Sequence, residues 1–539
     1  MFDFETYGEL GLALLVCVVN AFLLCLISYR LFHIFQLSGY KVRNYVMWVG
    51  DRRSKFYIRL FTLAILGFGS MLVVNILFFH LKIDFLSYLG LVFYFYLAIM
   101  FISNSQSAQY KVSLKLTARI KRLFVLYFMV CAIITFTIIW MGVGNPFLRF
   151  SLMALVPAIL PAILLLCHFI LYPLEESIKY GYIRRANKKL NQPAFKNLIR
   201  IGITGSYGKT SCKNILAEML KSKYKTVTSP SSFNTPQGYS KTVNNILTEE
   251  HEVLIMEMGA RYLGDIKHLA KLVKPRHGIL TSIGPQHLDT FGSIENVQIG
   301  KGDLVRSLPK DGIAVLNGDN ERCVSVFNAL ELERKYLSSI AEMTSNIEIN
   351  QDGCVFTLKI GDKQIQCKTR LLGQHNIINI LMCATMADKL GVPIEDIAAA
   401  IERLKPTPHR LELITAENGV FILDDSYNSS PGGSKAALEV LALFKGQKIV
   451  MTPGIVELGA KQDEENFKFG VRMSAVADKV IVVNEVNSVS IIDGLRSQGF
   501  AEENIFKVAN LKEAKKIYAD LLKPGDVLLI ENDLPDNYI

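Results

Sequence analysis

The chain has 539 residues, half of them hydrophobic, a mean hydropathy of +0.28 and a formal net charge of +10. The length allows roughly three or four domains, and a positive mean hydropathy beside 20% charged residues directs attention to membrane segments. So much apolar content excludes a largely disordered chain, while 37 glycines and 9 cysteines without a CxxC pair exclude collagen-like and disulfide-framework classes.

Five apolar runs fill the first third, at residues 10–28, 60–80, 85–102, 123–141 and 152–171, and none holds Lys, Arg, Asp or Glu. Each is long enough to cross about 30 Å of hydrocarbon as a helix. Pro157 and Pro161, inside the last run, are expected to kink a span without ending it. Asp3, Glu5 and Glu9 precede the first run with no Lys or Arg, which argues against a cleaved signal peptide.

The flanking charges alternate. Arg30, Lys41, Arg43, Arg52, Arg53, Lys55 and Arg59 lie between the first two runs, and Lys111, Lys115, Arg119, Lys121 and Arg122 between the third and fourth. Lys179, Arg184, Arg185, Lys188 and Lys189 follow the fifth; the other connections hold only Lys82 and Arg149. This pattern predicts a multi-pass protein of the cytoplasmic membrane, N-terminus outside, with everything after about residue 172 in the cytoplasm. The tight connection between 60 and 102 leaves a smaller number of spans open.

From about residue 198 short β-rich runs alternate with amphipathic stretches. Strands are expected at 198–204, 253–258, 278–283, 312–316, 421–423, 448–452, 479–483 and 526–530. Strands separated by helical stretches imply parallel α/β sheets. Residues 355–369 read instead as a hairpin around Gly361-Asp362, an insertion or a sheet edge. Pro406 and Pro408 break a helical run and mark a boundary. The predicted fold is an α-helical transmembrane domain followed by α/β. Its parts are a membrane domain (1–175), a cytoplasmic linker (176–198), a central parallel-sheet P-loop ATPase-like domain (199–408) and a C-terminal Rossmann-like α/β domain (409–539).

The strand at 198–204 runs into Gly205-Ser206-Tyr207-Gly208-Lys209-Thr210-Ser211 and then a helical stretch at 212–221. Glycines let backbone N–H groups approach phosphate, a helix N-terminus favours the anion, Lys209 reaches the terminal phosphates and Thr210 can ligate Mg²⁺. The strict eight-residue pattern wants glycine at 203; Ile203 stands there, and Gly202 is one place early. Taken alone, Glu257 is a carboxylate after a strand, His287 a lone histidine and Lys301 a surface lysine. Asp425 and Asn376 are as compatible with helix caps as with a site. His251, His268 and His277 match no motif and are expected at the surface.

Residues 204–211 resemble the ATP loop of the Mur ligases, ATP-dependent amide-forming enzymes of cell-wall synthesis, and are most like the branch that adds D-alanyl-D-alanine. Ser232-Phe233-Asn234-Thr235-Pro236-Gln237-Gly238 resembles the family's substrate loop, and Glu257-Met258-Gly259-Ala260 the segment whose Glu holds Mg²⁺. His287 and Lys301-Gly302-Asp303 resemble the stretch whose Lys is carbamylated and supports a second Mg²⁺. Asn317-Gly318-Asp319, Gly373-Gln374-His375-Asn376 with Asn379, His409-Arg410 and Asp424-Asp425-Ser426-Tyr427-Asn428 resemble its nucleotide-side and closing segments.

The resemblance implies catalytic roles for Lys209, Glu257, His287 and Lys301. Nucleotide contacts fall to residues 205–211, Asn317, Asn376, Arg410 and Asp425, and metal contacts to Thr210, Glu257, His287 and carbamylated Lys301. Substrate contacts fall to Asn234, Thr235, Tyr427 and Asn428. ATP and two Mg²⁺ ions are the implied cofactors.

Two features depart from the family. Its small uridine-nucleotide domain is replaced by the apolar runs, and its basic closing segment by Glu531-Asn532-Asp533-Leu534-Pro535-Asp536-Asn537-Tyr538. The expected activity is therefore a membrane-bound ligase that forms an amide through an acyl phosphate, releasing ADP and phosphate. Its carboxylate is lipid-linked or membrane-delivered and its amine an amino acid, peptide or other amine. A polyamide synthase, or an ATPase subunit working with a membrane polymerase, transporter or amidotransferase, are the alternatives. Residues 1–190 hold 19 Lys and Arg against 7 Asp and Glu, so the basic excess is a topology and lipid signal and no nucleic-acid partner is expected.

Overall fold

The computed structural model describes residues 4–50, 56–79, 87–106, 113–141, 146–230 and 233–533. Arg52, Arg53, Lys55, Lys82, Lys111, the start of the third apolar run, Ser232 and the tail from Leu534 lie outside the described residues. The chain divides into two compact units between Ile178 and Lys179.

The first unit is helical among the described residues. Helices Phe4–Ile27, Phe56–Phe79, Ser87–Gln106 and Ala118–Met141 contain the first four apolar runs in whole or part, and the fifth is shared between Pro146–Leu155 and Leu160–Leu190. Apolar side chains such as Leu15, Phe22, Leu66, Val73 and Ile133 face outward. Inside, Asn20 Nδ2 donates to Thr135 Oγ1 at 3.0 Å, Tyr94 donates to Asn20 Oδ1 at 3.3 Å, and Arg122 forks onto the Glu175 carboxylate at 2.7 and 2.8 Å.

Five spans were expected; among the described residues three helices are long and apolar enough to cross a membrane: Phe56–Val74, Ala118–Trp140 and Ser151–Leu190. The first run bends by 45° into the pair Leu14–Ile27 and Tyr29–Leu37, a fourth span if counted as one, and the third leaves only the shorter Val92–Ser103. Pro157 brings in a 3-10 turn, Val156–Ile159, before the helix resumes at Leu160. Pro161 then sits in a first turn, where its missing N–H is not needed. The expected linker is mostly helical: Leu160–Leu190 continues past Pro173, and a turn at Pro193–Phe195 leads into the strand Ile199–Thr204.

The second unit holds three sheets. Strands β1 (Ile199–Thr204), β2 (Thr226–Thr228), β3 (Val253–Glu257), β4 (His277–Leu280), β5 (Ala314–Asn317) and β6 (Lys335–Ser338) form a wholly parallel sheet of order β2-β3-β1-β4-β5-β6. Every residue of β3, β4 and β5 is buried, as expected of strands covered on both faces. Strands β7 (Thr344–Asn350), β8 (Gly353–Ile360) and β9 (Lys363–Thr369) make a separate antiparallel sheet. The predicted hairpin is therefore two strands of an insertion, and its Phe356 and Leu358 share a core with the helix Gln374–Lys389.

The third sheet contains β10 (Glu412–Thr415), β11 (Phe421–Asp425), β12 (Lys448–Thr452), β13 (Lys479–Val483), β14 (Ile505–Val508) and β15 (Val527–Glu531), in the order β10-β11-β15-β12-β13-β14. It is parallel except for β10, an antiparallel edge strand that the sequence did not announce. β2, β6, β7 and β14 were also unannounced; the shortest, β2, has three residues, too few for an alternation to register. His277, expected at the surface, is buried in β4, where its Nδ1 accepts the Ile313 N–H at 3.0 Å; burial pushes it down to about 4, so it is neutral.

Phe469, fully buried on the helix Gln462–Ser474, packs in the core beneath the third sheet. Phe469→Ala should cost that domain about 3–5 kcal/mol. Hydrogen exchange is the check: amides of β12 and β13 should lose protection while those of β1 and β3 keep theirs.

Candidate active site

The site is built at the C-terminal ends of parallel strands, where open α/β sheets place their ligands. β1 ends at Thr204, the chain turns through residues 205–208, and Lys209 starts the helix Lys209–Leu220. The turn needs its glycines. Gly205 (φ 155°) and Gly208 (φ 79°) are left-handed, and a Cβ on the first would collide with Thr281 Oγ1.

The loop is fastened from β4's side. Ser206 N–H donates to the Ser282 carbonyl at 2.7 Å, Tyr207 N–H to Ser282 Oγ at 2.8 Å, and Tyr207 OH to the Pro285 carbonyl at 3.0 Å. Its other flank meets β3: Thr210 Oγ1 donates to Glu257 Oε2 at 2.8 Å, and Asn234 Nδ2 donates to Glu257 Oε1 at 3.1 Å. Glu257 is the last residue of β3, which pairs with β1, so strand register alone brings Glu257 beside the loop.

Three cations converge on this edge. Lys209 Nζ donates to the Gly205 and Ser206 carbonyls at 2.7 and 3.1 Å. Burial lowers it to about 8, with Glu257 opposing the shift and Arg410 adding to it. Lys301, on the helix Ile294–Arg306, is 1% exposed and lies 5.8 Å from the Phe291 ring centre. Burial, and then the charge of Lys209, hold it well below the usual lysine range. Arg410 stacks 4.1 Å from the Tyr427 ring centre.

His287 does not stand alone. Its Nδ1 pairs with Glu457 Oε2 at 2.5 Å, and Arg261 Nη2 reaches Glu457 Oε1 at 3.2 Å. Burial keeps His287 below its ordinary value although Glu457 pulls upward. Burial would raise Glu457, but His287 and Arg261 hold it down. Glu457 and Arg261 had no assigned role in the sequence. The available signal was position, since Glu457 lies in a Pro- and Gly-containing loop after the parallel strand β12.

In the third sheet Asp425 ends β11 and Glu531 ends β15, side by side in the parallel register. Two buried carboxyls so close do not both ionise readily. Burial lifts Asp425 to about 6 against the pull of Arg410, while burial and the charge of Asp425 push the fully buried Glu531 well above the carboxylate range. Ser429 Oγ donates to Glu531 Oε1 at 2.5 Å.

Other expected site residues spend their side chains on local structure. Thr235 caps the helix Pro236–Asn245, Asn317 donates to the Thr281 carbonyl at 2.9 Å, and Asn376 donates to the Leu372 carbonyl at 2.9 Å. Ser211 is half-buried in the first turn of its helix, Tyr427 is half-exposed and Asn428 is exposed. The structure therefore brings Lys209, Thr210, Asn234, Glu257, His287, Lys301 and Arg410 into electrostatic or hydrogen-bonding range of one another. No group of three His, Cys, Asp or Glu side chains among the described residues forms a metal cage.

Residues 203–387 match the family model of the Mur ligase middle domain, and 409–531 that of the Mur ligase, glutamate ligase domain. The chain is 30% identical over 357 residues to the UDP-N-acetylmuramoyl-tripeptide--D-alanyl-D-alanine ligase of Mycobacterium tuberculosis, covering 61% of this chain and 69% of that protein. The protein of the same name from Escherichia coli is 29% identical over 310 residues, covering 56% and 68%. The crystal structure of MurF ligase from Thermotoga maritima in complex with ADP is 26% identical, with a TM-score of 0.58 over 66% of this chain and 80% of that one. Crystal structure I of MurF from Acinetobacter baumannii, at 23% identity, shares the fold, with a TM-score of 0.60 over 67% and 78%. With a phosphate loop tied to Glu257 at the sheet edge and the motifs in family order, these likenesses lead to one conclusion: the chain belongs to the Mur ligase family of ATP-dependent amide ligases.

Proposed function

We propose that this ligase acts at the cytoplasmic face of a membrane in peptidoglycan synthesis, activating a lipid-linked or membrane-delivered carboxylate as an acyl phosphate. The observation that carries the chemistry is the Thr210–Glu257–Asn234 linkage at the mouth of the phosphate loop, with Lys209 beside it. A carboxylate oxygen attacks the terminal phosphorus of ATP and ADP leaves. The amine nitrogen then attacks the acyl carbon, and inorganic phosphate departs with one former carboxylate oxygen while the nitrogen gives up a proton. Such transfers depend on positioning and charge neutralisation.

The chain's residues suit these tasks. Loop N–H groups and Lys209 hold phosphate oxygens, and Asn234 orients the Glu257 carboxylate. The hydroxyl of Thr210 and the carboxylate of Glu257 are the hard oxygen donors that Mg²⁺ prefers, and bound there it would neutralise phosphate charge. His287, oriented by Glu457 through Nδ1, keeps Nε2 for the same side of the site. Burial favours the uncharged amine of Lys301, the form that takes up CO₂ as a carbamate, and a carbamate there would place an anion within electrostatic range of Lys209. Arg410 and Asp425 bring the charge of the C-terminal domain to the nucleotide, and Tyr427 and Asn428 are exposed enough to meet substrate.

The membrane and substrate parts rest on different support. Relatives are named for a muramoyl-tripeptide substrate, and the family models leave residues 1–202 unmatched. That unmatched stretch contains the apolar helices and 21 of the chain's 59 Lys and Arg against 7 Asp and Glu, the features of a membrane-seated module.

Purified full-length protein given ATP, Mg²⁺ and a lipid-linked muramoyl peptide with a D-alanyl dipeptide should release ADP and phosphate. AMP with pyrophosphate would overturn the acyl-phosphate route. Lys209→Ala should lower phosphate release at least about 100-fold.

The Asp425–Glu531 pair generates a pH signature. The folded chain holds the Asp425 proton up to about pH 6, whereas an ordinary aspartate releases it near 3.8, so stability falls as pH rises through that window and stays lower above it. Asp425→Asn stays neutral throughout. The melting midpoint of the C-terminal domain, variant minus wild type, should therefore grow between about pH 4 and pH 7 by calorimetry; a constant difference would contradict the shared-proton pair.

A further inference from the structure

We propose that a groove on the second unit, between residues 179–187 of the helix Leu160–Leu190 and the helix Asp265–Val273, binds the phosphate-bearing headgroup of an anionic phospholipid. The groove encloses about 320 Å³ and lies apart from the phosphate loop and its partners. Lys179, Arg184 and His268 supply its cationic and N–H groups, while Ile183, Leu272 and the Tyr180 ring supply apolar surface between them. Arg184 and His268 are exposed, and among the described residues neither has a hydrogen-bond or ion-pair partner.

The charge around the groove is mostly basic, with Glu176 one helical turn before Lys179 and Asp265 at the start of the facing helix as the nearest acids. Residues 177–190 contain no Asp or Glu, and exposed Lys188 adds to their field. On the facing helix the only acid is Asp265, whose carboxylate is engaged by the Arg261 and Tyr262 N–H groups at 2.9 Å, while exposed Lys271 adds another cation. An apolar groove rimmed by basic side chains fits a ligand that is apolar along its body and anionic at one end.

Chain connectivity selects a lipid over a soluble anion. Lys179 follows the end of the last apolar run, at 171, by eight residues. Even fully extended, eight residues reach at most about 29 Å, so a groove that begins at Lys179 stays close to any bilayer the run enters. Basic side chains at that depth attract anionic headgroups. This inference rests on reading 152–171 as a membrane span, and no step of the ligase reaction enters it.

The test is native mass spectrometry of the full chain extracted in neutral detergent, with phosphatidylglycerol or phosphatidylcholine of the same acyl chains added. Wild type should retain phosphatidylglycerol in preference. The double variant R184E/H268E should lose at least about fivefold of that retention, since each Lys or Arg near a surface is worth about fivefold, with phosphatidylcholine retention and ATP hydrolysis unchanged. Equal retention of the two lipids by wild type, or unaltered selectivity in the variant, would overturn the proposal. Displacement of the lipid by 10 mM inorganic phosphate, about a hundredfold excess, would assign the groove to a soluble anion instead. Release of the chain from cell membranes by alkaline carbonate would overturn the span, and the lipid with it; loss of ligase turnover alone would leave the headgroup selectivity standing.

Discussion

An ATP-dependent amide ligase must bring two anions, a triphosphate and a carboxylate, to within bonding distance. Unscreened unit charges 4 Å apart repel by about 4 kcal/mol even at an effective dielectric of 20, and here several such pairs act together. The second unit sets Lys209 and Arg410 within electrostatic range of each other beside the loop at residues 205–208, with Glu257 as the nearby opposite charge. Burial is the main reason that Lys209 and Lys301 are both held below their ordinary range, with the charge of Arg410 adding to it at Lys209 and that of Lys209 at Lys301. An anion beside these amines favours their charged forms, the opposite of what burial does.

The sheets turn this requirement into positions. Parallel strands point their C-terminal ends the same way, so β1, β3 and β5 deliver the loop, Glu257 and Asn317 to one edge. The third sheet repeats the device with Asp425 and Glu531, and β12 leads into the loop that carries Glu457. His287 and Glu457 are both left-handed non-glycine residues, with φ of 53° and 65°. Such conformations cost about 1–3 kcal/mol each, and the 2.5 Å hydrogen bond between the two side chains ties the strained loops of the two domains together.

Local signals were legible where one element carries them. The strand–glycine loop–helix around Lys209 and the hairpin about Gly361 could both be read from order along the chain. Glu257 was legible as the end of a strand, but its link to Thr210 needed the β1–β3 register, which crosses 47 residues of sequence. The His287–Glu457 pair spans 170 residues and the Ser429–Glu531 contact 102, and no periodicity encodes such separations. His277 looked like a surface residue because one polar side chain in a short strand gives no sign that its ring accepts a buried N–H. Helix continuity was misread for a related reason: hydropathy ends near 171, whereas backbone hydrogen bonding continues to Leu190 through charged, helix-favouring residues.

Those same residues explain the division of charge. The catalytic half carries 40 Lys and Arg against 42 Asp and Glu, so its few site cations act as local features on a near-neutral body. The first 190 residues carry the entire basic excess, and its last instalment, Lys179 to Lys189, belongs to a helix that begins in apolar sequence and ends at the start of the second unit. A mere anchor needs neither several apolar helices nor a basic helical continuation packed against the catalytic half's own helix Asp265–Val273. Charge in this chain is thus partitioned by element: balanced and local around the catalytic residues, one-signed along the helix that leads toward them from apolar sequence.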